Sequence, residues 1–147
     1  MGHPEVEKWL PHRERMVLLD EVVEAGENGA VAKVNISQDT EFCVDGKVPA
    51  WVGIEYMAQT MAAYSGGIAM GKDEEVSIAF LLGARRYNST VSHYKIGDEL
   101  TIRVKPAMFH DAISNFDCVI ELNSEEVATA GLTAYKPDKE MLEGFKK

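Results

Sequence analysis

Apolar and polar positions along the 147 residues change period several times, and those changes mark out the elements. Pro4 to Leu10 has room for one short helical turn, ended by Pro11. Met16 to Val23 and Ala30 to Ile36 read as strands, and Glu27-Asn28-Gly29 between them has hairpin-turn chemistry. Ser37 to Val48 is polar and contains glycine, so the pattern predicts a loop. Pro49 then opens the one long helical pattern, Ala50 to Met70, suiting a first turn in which its missing N–H costs nothing. Trp51, Ile54, Ala58, Met61, Ala62 and Ile68 recur at helical spacing, and Val52, Tyr56, Ala63 and Tyr64 widen the apolar surface. A helix apolar round most of its girth is a buried one. Gly66-Gly67 and Gly71 mark its weakening and end.

Strand patterns return at Ser77 to Tyr87, Glu99 to Phe109, Ile113 to Leu122 and Val127 to Tyr135. Ile96-Gly97-Asp98, His110-Asp111 and Asn123-Ser124-Glu125 supply the turns, the last a tight hairpin, and Pro137 ends the sheet. Two strands, a long buried helix and four more strands predict an α+β fold, an antiparallel sheet wrapped around one helix. An exposed sheet edge favours dimerisation by edge pairing.

Composition narrows the function. An apolar fraction of 46% is that of a globular chain, and neither a linker nor a repeat is evident, so residues 1–147 read as one domain. No apolar run reaches the roughly 18–20 residues of a spanning helix, and the start lacks the basic and apolar regions of a secretory signal. Cys43 and Cys118 have neither metal-ligand spacing nor a disulfide framework around them, so a reducing cytoplasmic setting is expected. The net charge of −9 argues against nucleic acid and against an anionic membrane surface. Between Phe80 and Lys105, however, Arg85, Arg86, Lys95, Arg103 and Lys105 outnumber Asp98 and Glu99. That segment is either a solvated strand surface or, through Arg85, Arg86 and Lys95, a contact for an acidic carrier protein or a phosphate.

Two segments resemble a known family. Leu10-Pro11-His12-Arg13, with Leu19 and Asp20, is similar to the N-terminal signature of the β-hydroxyacyl-acyl carrier protein dehydratases. Pro49-Ala50-Trp51-Val52-Gly53-Ile54-Glu55-Tyr56-Met57-Ala58-Gln59 resembles their central-helix signature, Pro-Gly-Val-x-x-x-Glu-Ala-Met-Ala-Gln, with the same Pro-to-Glu spacing. Ile96-Gly97-Asp98-Glu99-Leu100 resembles their Pro-Gly-Asp-x-Leu turn. The wording of the helix segment is closest to the dehydratase-like proteins of aryl polyene biosynthetic clusters. The resemblance implies a hot-dog fold, a dimer of identical or different hot-dog subunits, and an acyl thioester carried on the phosphopantetheine arm of an acyl carrier protein or coenzyme A. The histidines show no ligand spacing, so neither a metal nor an organic cofactor is expected. In the family a His of one subunit removes the α-proton, and a carboxyl on the central helix of the other protonates the departing β-hydroxyl; Glu55 occupies the carboxyl position.

The family's Gly-His-Phe-Pro segment has no counterpart here. Thr40-Glu41-Phe42-Cys43-Val44-Asp45-Gly46 stands in its place without a histidine. Of the four histidines, His3 is next to the chain start, His93 and His110 flank turns, and His12 lies in the matched segment. His12 either fixes the N-terminal turn or replaces the missing base. Glu55 sits among apolar neighbours, a setting that raises a carboxyl's pKa and lets it hold a proton, or else it is a first-turn carboxylate stabilised by the helix dipole. At i+4, the Gln59 amide can orient it or bond across a subunit interface. The N–H groups of Ala50, where the family has Gly, and of Trp51 are candidate donors to the thioester carbonyl. The Trp51 ring is either core or tunnel wall. Three functions stay open: a dehydratase, a thioesterase in which Glu55 activates water, and a weakly active subunit that completes a heterodimeric dehydratase.

Overall fold

The computed structural model describes residues 17–71, 80–110 and 113–135, with the side chains of 68–71, 80–82 and 108–110 outside that description. Pro4 to Leu10, His3, His12, Ser77 to Ala79, Pro137 and the charged tail fall outside the described residues. The described strands are β1 (Glu21–Gly26), β2 (Gly29–Asn35), β3 (Lys47–Pro49), β4 (Phe80–Ser89), β5 (His93–Lys95), β6 (Glu99–His110), β7 (Ile113–Leu122) and β8 (Glu125–Tyr135). Between β3 and β4 lie a 3-10 turn, Ala50–Val52, and the helix α1, Gly53–Gly71.

All pairings are antiparallel. The main sheet runs β1-β2-β6-β7-β8-β4, and β3 pairs with β5 in a separate two-stranded ribbon. The period-two alternation explains which face is core: Leu100, Ile102 and Val104 of β6, Phe116, Cys118 and Ile120 of β7, and Ala128, Ala130, Leu132 and Ala134 of β8 are buried. α1 lies against that face, chiefly over β1, β2 and β6. Tyr56, Met57, Met61, Ala63 and Tyr64 bury its inner side, and the Tyr64 ring meets Phe116 edge-on at 5.4 Å. This is the sheet-around-helix layout predicted from the pattern.

Four expectations need correction. The first strand begins at Glu21, not Met16. Val17 and Leu19 are buried without pairing as a strand, because the Leu18 N–H is taken by a helix side chain. The predicted loop 37–48 contains a hairpin: Val44 bridges Lys47 around Asp45 and Gly46, at φ of 54° and 76°. Those angles belong to a type I′ turn, for which Asp-Gly is a favoured pair, so the missed signal was in the sequence. The helical region opens with a 3-10 turn rather than α-helix, its first N–H being drawn into the β3–β5 ribbon. β5 went unpredicted because three residues are too few to show a period.

The turns at Glu27-Asn28 and Asn123-Ser124 are as expected, with Gly29 at φ 128° and both Asn123 and Ser124 at positive φ. In the Ile96-Gly97-Asp98 turn, Gly97 takes φ 97° and the Asp98 carboxylate accepts from the Lys95 N–H at 2.8 Å. Among the described residues no helix is long and apolar enough to cross a membrane.

Candidate functional site

Glu55 is in the first turn of α1 and half-buried. Gln59, one turn on, is fully buried. Its Oε1 accepts from the Leu18 N–H at 2.8 Å, and its Nε2 donates to a Glu55 carboxylate oxygen at 3.2 Å. The two bonds act as a unit. An N–H can only be met by the amide oxygen, so Leu18 fixes which end of the amide is which, and the NH2 must then face Glu55. The predicted i+4 orientation of Glu55 by Gln59 is therefore in place, and its anchor, the Leu18 backbone, is a contact that spacing could not reveal. Gln59→Leu is expected to leave that N–H without a partner and to lower stability by about 1–3 kcal/mol; a urea midpoint equal to that of the unaltered chain would refute the anchoring role.

Along the helix Ile54, Glu55, Ala58, Ala62 and Ser65 are all half-buried, while their neighbours round the helix are buried. At spacings of three and four they form one stripe that is less deeply covered than the rest of the helix. A cleft between Leu18, Thr40 and Tyr56 measures about 170 Å³, below the roughly 300 Å³ that small-molecule sites usually enclose.

The helix start differs from expectation. The Ala50 N–H donates to the Ser92 carbonyl at 3.0 Å, extending the β3–β5 ladder, so it is not a free donor for a substrate. Trp51, half core in expectation, is 60% exposed, with Phe42 edge-on at 5.8 Å. Its N–H lies in the first helical turn, where no carbonyl of an earlier turn reaches it. Tyr87 and Tyr94 lie against this turn from inside, a role that sequence reasoning missed. Tyr87 donates its hydroxyl to the Ala50 carbonyl. Tyr94 and Tyr56 are buried, and their hydroxyls find no well-aligned acceptor, although Tyr94 abuts Tyr87. Burial foremost pushes all three phenols above their ordinary pKa, so each stays a neutral donor. Gly53 makes the arrangement possible: a Cβ there would strike the Tyr87 hydroxyl and lie 2.9 Å from Ile120 Cδ1.

Of the histidines whose side chains are described, His93 is brought towards the helix start, paired across from Pro49 and half-buried, its Nδ1 2.8 Å from Ser92 Oγ. Cys43 is half-buried. Burial, helped by the charge of Asp117, pushes the Cys118 thiol up to about 12, which removes it as a nucleophile. Arg85 and Arg86 are together on β4, but Lys95 is not with them; it stands on the ribbon opposite Lys47.

Comparison with known proteins places this geometry. A family model described as ApeP-like, ApeP dehydratase, matches residues 4–146. The 3-hydroxyacyl-acyl-carrier-protein dehydratase FabZ of Acinetobacter baylyi is 26% identical over 136 residues, 88% of this chain and 90% of that protein. Its Bartonella henselae counterpart is 29% identical over 143 residues, 89% and 86% of the two chains. Among solved structures, the dehydratase heterocomplex ApeI:P from Xenorhabdus doucetiae contains a chain that superposes with a TM-score of 0.87 at 29% identity, covering 97% of each chain. A hypothetical thioesterase from Streptococcus pneumoniae, solved with coenzyme A, shares the fold at a TM-score of 0.64 and 13% identity, covering 80% of this chain and 84% of that one. With its hot-dog layout and a family match along nearly its whole length, the chain belongs to the ApeP-like dehydratase family.

Proposed function

We propose that the protein is a dehydratase-like subunit acting on β-hydroxyacyl thioesters, with a second hot-dog subunit completing its site. The observation that carries this reading is the Leu18–Gln59–Glu55 relay on the half-buried stripe of α1. A carboxyl held in one orientation is suited to a general acid. Glu55 delivers its proton to the β-hydroxyl as the C–O bond breaks, a base removes the α-proton, and the electron pair left on the α-carbon forms the double bond. Water leaves, and the proton taken by the base returns to Glu55 to close the cycle.

The Trp51 N–H, in the positive first turn, takes the donor role to the thioester carbonyl in place of Ala50. His12 is assigned the role of base. His12 is chosen because it lies in the segment that resembles the family's N-terminal signature. A heterodimer rather than a homodimer is favoured by the family's matched heterocomplex and by the absence of histidine from the segment 40–46. The free thiols Cys43 and Cys118 suit a reducing cytoplasm.

The test is to incubate the protein, alone and with a candidate hot-dog partner, with a β-hydroxyacyl-carrier protein and to follow product mass. Loss of water supports the reading, and loss of water only with the partner supports its heterodimeric form. Release of free acid would replace it by a thioesterase. No change under either condition would end it.

A further inference from the structure

Tyr87 reaches the helix start because β4 is bulged. Arg85 pairs with Gly131 and Asn88 with Thr129, so Arg86 and Tyr87 together stand opposite Ala130 alone. Ala130 is buried in the core. Of the two bulged residues, Tyr87 packs inwards against that core, and Arg86, at φ 55°, lines an outer cleft with Arg85. The Asn88 side-chain amide donates to the Arg86 carbonyl at 3.1 Å and holds this left-handed conformation, which a long side chain avoids.

The Tyr87 hydroxyl donates to the Ala50 carbonyl, which also accepts from the Gly53 N–H. That carbonyl and the Trp51 N–H belong to one peptide group. Amide resonance couples its two ends: a hydrogen bond taken by the oxygen draws electrons from the nitrogen and makes the N–H a stronger donor. Such coupling is largest where water cannot compete. Ala50 is buried and Trp51 exposed, so the peptide runs from the interior to the surface. On the inner side the Tyr87 and Tyr94 hydroxyls meet beside Gly53, with Ile120 against the same point. Burial foremost holds the Tyr87 phenol above its ordinary pKa, so it stays protonated and donating.

We propose that Tyr87 is a positioning residue for the elimination: through the Ala50 carbonyl it fixes and polarises the Ala50–Trp51 peptide, and so strengthens the Trp51 N–H as donor to the thioester carbonyl. As the α-proton leaves, negative charge gathers on the thioester oxygen, and a stronger donor stabilises that state more than the bound substrate. The inference deepens the dehydratase reading and rests on its assignment of the Trp51 N–H.

Three versions of the full chain test it, with the hot-dog partner present where turnover requires one: unaltered, Tyr87→Phe, and with a ring-fluorinated tyrosine in place of Tyr87. Fluorine makes the phenol a stronger donor without removing the bond. The phenylalanine variant leaves the Ala50 carbonyl its Gly53 N–H, so folding is retained. With a β-hydroxyacyl-carrier protein, Tyr87→Phe is expected to lower kcat by about 2–10-fold, a fraction of the loss of a whole donor, at nearly unchanged KM. The second readout is the infrared carbonyl stretch of a bound enoyl thioester of pantetheine, carrying heavy carbon at that carbonyl. Binding is expected to lower its frequency, the fluorinated protein lowering it further and Tyr87→Phe restoring part of the shift. A bound frequency equal in all three proteins, or a phenylalanine effect confined to KM and the urea midpoint, would overturn the proposal and leave Tyr87 a prop for the turn. The spectrum needs no turnover. A frequency that follows the donor strength at position 87 in a protein that eliminates no water would sink the reaction assignment and leave the polarised N–H in place.

Discussion

Glu55→Gln is expected to reduce conversion of a β-hydroxyacyl thioester by about 10²–10⁴-fold, the usual loss on removing a general acid. The substitution preserves shape, and the Gln59 amide that donates to Glu55 at 3.2 Å keeps an oxygen to meet. The urea midpoint should therefore stay close to that of the unaltered chain, which separates lost chemistry from lost folding. Glu55→Asp retains a carboxyl but draws it back from the stripe shared with Ala58 and Ala62, so a smaller loss is expected. Turnover that survives the glutamine substitution unchanged would remove Glu55 from the chemistry, and the relay through Gln59 would then be a structural contact only.

A stability effect as large as that of Gln59→Leu is expected at Gly67. In an exposed helix interior, Gly→Ala adds about 1 kcal/mol of stability. A Cβ at Gly67, however, would lie 2.6 Å from the Ala25 carbonyl oxygen and 2.8 Å from its carbon, backbone atoms of β1 that have nowhere to go. Gly67→Ala is therefore expected to destabilise by about 1–3 kcal/mol, the cost of overpacking. A denaturation midpoint that rises instead would mean that β1 does not press on the helix at this level. The same contact adds to the sequence reading of Gly66-Gly67. The helix ends at Gly71 as expected, and Gly67 is in addition where the edge strand crosses it.

Much of the site was legible because its parts are local. Pro49, the apolar helix pattern and the carboxyl at the Pro-to-Glu spacing place Glu55, and i+4 geometry places Gln59 beside it. The free amide assigned to Ala50 failed for a reason no local rule contains: its partner, Ser92, is 42 positions away, just ahead of β5. Trp51 failed differently. Apolar spacing says that a residue prefers burial, but on a single chain its ring is left exposed beside Phe42.

By itself, then, the sequence determined the α+β class, the one buried helix, most strand centres and the helix carboxyl, since side-chain periodicity and turn chemistry act over a few residues. Tertiary structure alone decided that Leu18 anchors Gln59, that the Tyr87 hydroxyl meets the Ala50 carbonyl, and that a bulge swings Arg85 and Arg86 to one side. Each of these depends on strand register between segments far apart in the chain, and register is settled by how the whole sheet closes over the helix rather than by any short run of residues.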